Sequence, residues 1–196
     1  SALCADASPS PSRVSDFLQK NPYPDIDSGR GLSQPFPMSY AALTRNRRSA
    51  TNHSYALTFC AHDRRPIFIE ANAATQIIHA MHRSTRLGYC HSLAWVVMPN
   101  HVHWLLTLAD GSKLSSLMAA TKGNASRGLQ ANAGLRLPIW QPGYYEHQIR
   151  ADEDLRQQAR YLIANPLRAG LVSRVVDYPY WWAIWASPPH GPMAGS

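Results

Sequence analysis

Two histidines stand one residue apart in the apolar run "MPNHVHWLL", residues 98–106. In a strand, residues i and i+2 point to the same face. His101 and His103 would therefore stand side by side while Val102, Trp104 and Leu106 pack on the opposite face. Each neutral imidazole offers a nitrogen lone pair, so two on one face can hold a metal ion. The chain carries nine histidines in 196 residues, and a pair at this spacing also arises by chance. Alone it carries little.

A second set of residues lies in "ADEDLRQQARYLIAN", residues 151–165. Leu155, Ala159, Leu162 and Ile163 fall within one apolar stripe at helical spacing. Tyr161 and Asn165, four apart, share a different face, with Asp154 and Gln158 on the same polar side. A tyrosine that packs in a core would sit among the leucines, and this one points away from them. Asn165 precedes Pro166, which places it near the helix end, and Gly170 permits the turn beyond. Two histidines and one amide oxygen make an open site for a hard or borderline divalent ion such as Mg²⁺ or Mn²⁺, with positions left for a phosphate. Such an ion would polarise a phosphodiester, and the Tyr161 hydroxyl could attack phosphorus to give a covalent intermediate. The competing reading of Tyr161 is a surface or interface aromatic, because spacing alone does not bring helix and strand together.

The elements that must position these groups follow from periodicity. "SYALTFC" (54–60) alternates as a strand and is followed by a turn at "HDRRP". Residues 70–87 predict a helix with Ala73, Ile77, Ile78 and Met81 on its apolar side. "CHSLAWVVM" (90–98), the turn "PN" and "HVHWLLTL" (101–108) predict a hairpin. A second helix starts near Lys113, carries Leu114, Leu117 and Met118, and runs towards Leu129. "GYYEHQIR" (143–150) predicts a strand, and 151–165 a third helix with acidic residues in its first turn. The order β-α-β-β-α-β-α suggests an α+β fold, a ferredoxin-like sandwich with an antiparallel sheet and helices on one face.

Charge points to the partner. Sixteen of the nineteen basic residues are arginine, and the net charge is +7. Residues 1–40 hold three basic and four acidic residues, a net of −1; residues 41–196 hold sixteen and eight, a net of +8. Arginine forks match phosphate oxygens, so a polyanion is the natural partner of the folded part. Residues 1–40 also contain six of the fifteen prolines and eight serines, the composition of an extended or disordered arm. Cys4, Cys60 and Cys90 are odd in number and widely spaced, which fits a reducing cytosol better than a disulfide framework. Neither a secretory signal nor a membrane span is expected. A zinc deaminase would need H-x-E and P-C-x-x-C, and an ATPase a G-x-x-x-x-G-K-[ST] loop; the sequence has none of these.

In order and spacing, "VVMPNHVHWLL", "IWQPGYYEHQIRADEDL" and "YLIANPLRAGLV" resemble the REP-associated tyrosine transposases, a branch of the single-tyrosine HUH transposase superfamily (histidine, hydrophobic residue, histidine). The resemblance covers about residues 40–182. It implies a ferredoxin-like fold and a bacterial, cytoplasmic, Mg²⁺- or Mn²⁺-dependent endonuclease that cuts and rejoins single-stranded DNA at hairpin-forming repetitive extragenic palindromes. His101 and His103 match the HUH pair, and Asn165 matches the third metal ligand. Tyr161 matches the nucleophile, which becomes joined to a 5′-phosphate while a 3′-hydroxyl departs. Other branches often carry glutamine at the third-ligand position, so asparagine favours the REP-associated branch. This branch also implies a monomer rather than a homodimer.

On this reading residues 1–40 are a leader or arm outside the family pattern, 41–186 the transposase domain, and 187–196 a flexible tail. Arg45, Arg47 and Arg48 form a basic cluster before the first strand, able to follow a phosphate backbone or enter a groove. Lys122, Arg127, Arg150 and Arg168 are further DNA-binding candidates; Arg150 and Arg168 lie within the matching blocks. The aromatic tail "YPYWWAIW" (178–185) either closes the core or stacks unpaired bases, closure being the preferred reading. His79 and His82 read as surface residues, and His147 as a histidine near the site without a role. The competing function is a non-catalytic module that binds DNA hairpins. The presence of all four of His101, His103, Tyr161 and Asn165 favours an enzyme.

Overall fold

Three strands form where alternation placed them: β1 (Ser54–Cys60), β2 (Cys90–Met98) and β3 (His101–Leu108). The structure is a computed structural model, and it describes residues 52–150 and 154–186. The expected leader, the cluster Arg45, Arg47 and Arg48, and the expected tail at 187–196 lie outside the described residues. β2 and β3 meet at a two-residue turn, Pro99–Asn100, with Met98 opposite His101. That turn is tied down from outside: the Ala61 amide donates to Asn100 O and the Phe68 amide to Pro99 O, both at 2.9 Å. The first histidine of the pair thus starts its strand from a fixed corner.

β4 (Tyr145–Gln148) is shorter than the expected segment and pairs with the outer edge of β1, Tyr145 opposite Thr58. β1 separates it from the β2–β3 hairpin, and His147 pairs with Ala56. A fifth strand, β5 (Trp181–Ala183), forms in the aromatic tail and pairs with β2. The sheet order is β4-β1-β3-β2-β5, with every pairing antiparallel.

Two long helices, α1 (Ala71–Arg86) and α2 (Leu114–Ala133), cover one face. Their Ala73, Ile77, Met81, Leu117 and Met118 pack with Leu57, Phe59, Trp104 and Leu106 of the sheet. α2 runs past Leu129 to Ala133, where Gly134 at φ 64° closes it in the left-handed conformation that glycine adopts without strain. The third helix, α3 (Leu155–Ile163), lies on the opposite face. The expected sandwich is present, and its one-faced layering holds for the two long helices. α3 departs from it because a second apolar surface exists: Ala94, Val96, Met98 and Leu105 receive Ala159, Leu162 and Ile163.

A bulge between Ser92 and Ala94 creates that surface. Before it, Cys90 packs in the helix-covered core and Ser92 accepts the Trp104 Nε1–H at 3.0 Å. Beyond it, Trp95 and Val97 turn to the same core, which leaves Ala94, Val96 and Met98 for α3. One extra residue reverses the alternation.

α3 also ends earlier than expected. Ala164 breaks it, and Asn165 opens a separate single turn, α4 (Asn165–Arg168), with Pro166 in its first positions. Proline is tolerated there because its missing amide would be unpaired anyway. Asp154 caps α3 by accepting the Arg156 amide at 2.8 Å.

Candidate functional site

His101 and His103 do share a face, with Val102, Trp104 and Leu106 buried behind them. Their Nε2 atoms are 3.0 Å apart and the rings meet edge to face, 4.7 Å between centroids. Each outer nitrogen has a partner. His101 Nδ1–H donates to Asn100 Oδ1 at 2.6 Å, which leaves His101 Nε2 as an acceptor facing His103 Nε2. His103 Nδ1 lies 2.8 Å from Thr58 Oγ1, a hydroxyl that can donate or accept and so permits either tautomer.

Burial pushes the His101 imidazole down to about 4, helped by the Arg64 charge. Burial pushes His103 down to about 3, with smaller contributions from His101 and Arg168. Both rings are neutral near pH 7, the form that ligates a cation.

The pair fits a divalent ion. With the His103 proton on Nδ1, both Nε2 atoms carry a lone pair and stand side by side. Two nitrogens each about 2.1 Å from an ion and at right angles would be about 3.0 Å apart, the separation present here. Among the described residues no group of three or more histidines, cysteines or carboxylates forms a metal site.

α3 and α4 bring Tyr161 and Asn165 to this same face of the sheet. Tyr161 is 46% exposed, so its hydroxyl is not consumed in the core. Arg168 links the two residues. Its Nη2 donates to Asn165 Oδ1 at 2.7 Å and to Tyr161 O at 2.9 Å, and its guanidinium lies 3.9 Å from the Tyr161 ring centroid. Asn165 Nδ2 donates to Leu162 O at 2.6 Å. The Arg168 charge also bears on His103, so the residue that holds Tyr161 and Asn165 lies on the histidine side of the sheet.

The remaining candidates fare differently. Lys122 Nζ donates to Gln141 O and Gly143 O and lies 6.0 Å from the Trp140 ring centroid. Through these contacts it braces the segment leading into β4. Arg127, on the exposed side of α2, donates to Asn124 Oδ1; its helix covers the face opposite the histidines. Arg150 is exposed just beyond β4. His79 and His82 are exposed on α1, His82 against the Trp95 ring. The aromatic tail closes the core. Trp181 and Ala183 are buried on the α3 side, and the Tyr178 hydroxyl donates to Val97 O at 2.7 Å.

Sequence reasoning missed Asn100, Thr58 and Arg64. Asn100 was legible only as a turn residue, and Thr58 becomes relevant only through the β1–β3 register, which sets it opposite His103. Arg64 follows Asp63 in a turn where both residues are left-handed, φ 53° and 50°. Such φ values are uncommon outside glycine, asparagine and aspartate, and they collect at functional sites. This turn sends the Arg64 charge towards His101.

The family model described as IS200-like transposase matches residues 49–165. The chain is 38% identical over 88 residues to the REP-associated tyrosine transposase of Escherichia coli K12, spanning 44% of this chain and 50% of that one. It is 28% identical over 103 residues to a putative REP-associated tyrosine transposase of Haemophilus influenzae Rd, spanning 45% and 56%. The chain thus spans about half the length of the curated relatives it matches. Its fold matches a solved REP-associated tyrosine transposase bound to a REP hairpin, with a TM-score of 0.60 and 29% identity over 69% of this chain and 79% of the other. Among the described residues no helix is long and apolar enough to cross a membrane. With a family model matching more than half its length and relatives of one kind by sequence and by fold, the chain belongs to the IS200-like transposases, on the side of the REP-associated tyrosine transposases.

Proposed function

We propose that this protein is a divalent-metal-dependent endonuclease and strand transferase that acts on single-stranded DNA at REP-like hairpins through Tyr161. The observation that carries this reading is the side-by-side placement of His101 Nε2 and His103 Nε2 on the sheet face that also holds an exposed tyrosine. The net +8 of residues 41–196 supports a polyanionic substrate. The solved relative bound to a REP hairpin supports the class of DNA.

His101, His103 and Asn165 are the residues that would hold Mg²⁺ or Mn²⁺, whose chemistry when bound is Lewis-acid polarisation of the scissile phosphate. Tyr161 Oη attacks phosphorus and gives up its proton to solvent. The bond from phosphorus to the 3′ oxygen breaks, its electron pair leaves with that oxygen, and the oxygen takes a proton to become a 3′-hydroxyl. The 5′-phosphate is then esterified to Tyr161, and attack by another 3′-hydroxyl reverses the sequence and joins strands.

The test is cleavage of single-stranded hairpin oligonucleotides with Mg²⁺ or Mn²⁺ by the intact protein and by Tyr161→Phe. A denaturant-resistant protein–DNA adduct in the former, absent from the latter, is expected. Tight hairpin binding without adduct or cleavage would make the protein a binding module. Cleavage that survives in Tyr161→Phe would assign the attack to water.

A further inference from the structure

We propose that Arg168 is an interlock: it holds the Asn165 amide oxygen until a DNA phosphate takes the guanidinium, so that DNA and the cation bind cooperatively. This rests on the functional reading above and adds a regulation of the same site.

Both ends of the Asn165 side chain are engaged, Oδ1 by Arg168 at 2.7 Å and Nδ2 by Leu162 O at 2.6 Å. The local sequence enforces the first contact. Asn165 and Arg168 are three apart on α4, so their side chains lie on one side of a turn whose start Pro166 makes rigid. The residue offered as third ligand therefore presents its oxygen to a fixed positive charge. That charge also bears on His103. A dication at the histidine pair would meet a like charge nearby.

Arg168 holds this position through weak partners. Among the described residues they are a carbonyl, an amide oxygen and an aromatic ring, all neutral. A phosphate oxygen pair is a better partner, because charge-assisted, bidentate bonds are stronger than bonds to neutral oxygens. A phosphate at this face would draw the guanidinium from Asn165 Oδ1 and offset its charge beside the histidines. Freed, the oxygen could turn to the cation. Linkage makes the effect reciprocal: whatever factor DNA adds to cation affinity, the cation adds to DNA affinity.

The experiment uses Tyr161→Phe, which cannot form the adduct, and measures Mn²⁺ affinity calorimetrically with and without a short single-stranded oligonucleotide. A gain of about tenfold on adding DNA is expected, within the usual range of site-to-site coupling. Combining Arg168→Ala with Tyr161→Phe should tighten Mn²⁺ binding without DNA and abolish most of the gain. Arg168→Gln, which keeps an amide donor for Asn165 but no charge, should also lose the gain, and serves if the alanine variant does not fold. An undiminished gain in a folded variant, or weaker DNA-free binding in Arg168→Ala, overturns the interlock alone. Absence of Mn²⁺ binding, or binding that survives His103→Ala, overturns the functional reading and the interlock with it.

Discussion

Thr58 Oγ1 and His103 Nδ1 lie 2.8 Å apart across the β1–β3 ladder, where the two residues are direct cross-strand partners. Asn100 Oδ1 does the corresponding work for His101 from the hairpin turn, 2.6 Å from Nδ1. Partners of this kind fix ring orientation, and their loss commonly weakens cation binding by about 10- to 100-fold. Thr58→Val and Asn100→Ala should each weaken Mn²⁺ binding by that order, while His101→Ala should abolish it. Calorimetric titration decides. Unchanged affinity in both variants would show that these contacts do not orient the pair.

Acid should destabilise the chelator-treated protein. His101 and His103 are held at about 4 and about 3, below the ordinary value of 6.5 that applies in the unfolded chain. The unfolded chain therefore binds protons that the native protein refuses. Stability from this source is complete above about pH 6.5 and falls as pH drops towards 3, with a slope of at most ~1.4 kcal/mol per pH unit for each histidine. Urea denaturation from pH 7.5 to 4.5 should show the decline, and His103→Gln should flatten it. An equal slope in that variant would place its origin elsewhere.

Lys122 should behave as a structural residue. Its ammonium holds two backbone carbonyls, and leaving those unpaired costs about 1.5–3 kcal/mol for bonds to a charged group. Lys122→Met should lower the unfolding midpoint, yet leave hairpin affinity unchanged at temperatures where the variant is folded. A loss of DNA affinity in the folded variant would instead make Lys122 a phosphate contact.

Arg64 should act on DNA. It is exposed, and its left-handed backbone directs its charge towards the histidine pair. Arg64→Ala should weaken binding of single-stranded hairpins evenly across sequences. The slope of log affinity against log salt should fall by about 0.7, the single-strand value for one phosphate contact. Sequence-selective loss would instead mean that Arg64 reads a base.

Much of the fold was written in local pattern. The alternation in β1 and β3, the helical stripe of Ala73, Ile77 and Met81, and the two-residue turn before His101 each follow from short-range spacing, and each element formed where that spacing placed it. The same periods put His101 beside His103 and turned Tyr161 away from its leucines, because side-chain direction along a strand or helix needs no tertiary information.

What periodicity could not say is which faces meet. The bulge after Ser92 exposes a second apolar surface, and only the folded sheet shows that α3 docks there, on the histidine face. Register alone sets Thr58 against His103, across a sequence gap that no local rule spans. Lys122 and Arg168 look alike in the sequence as basic residues, yet packing commits one to backbone carbonyls and sets the other over Tyr161 and Asn165. The sequence by itself determined the reactive residue types and their local directions, since these depend on backbone period. Tertiary structure decided their partners, since these depend on contacts between distant segments.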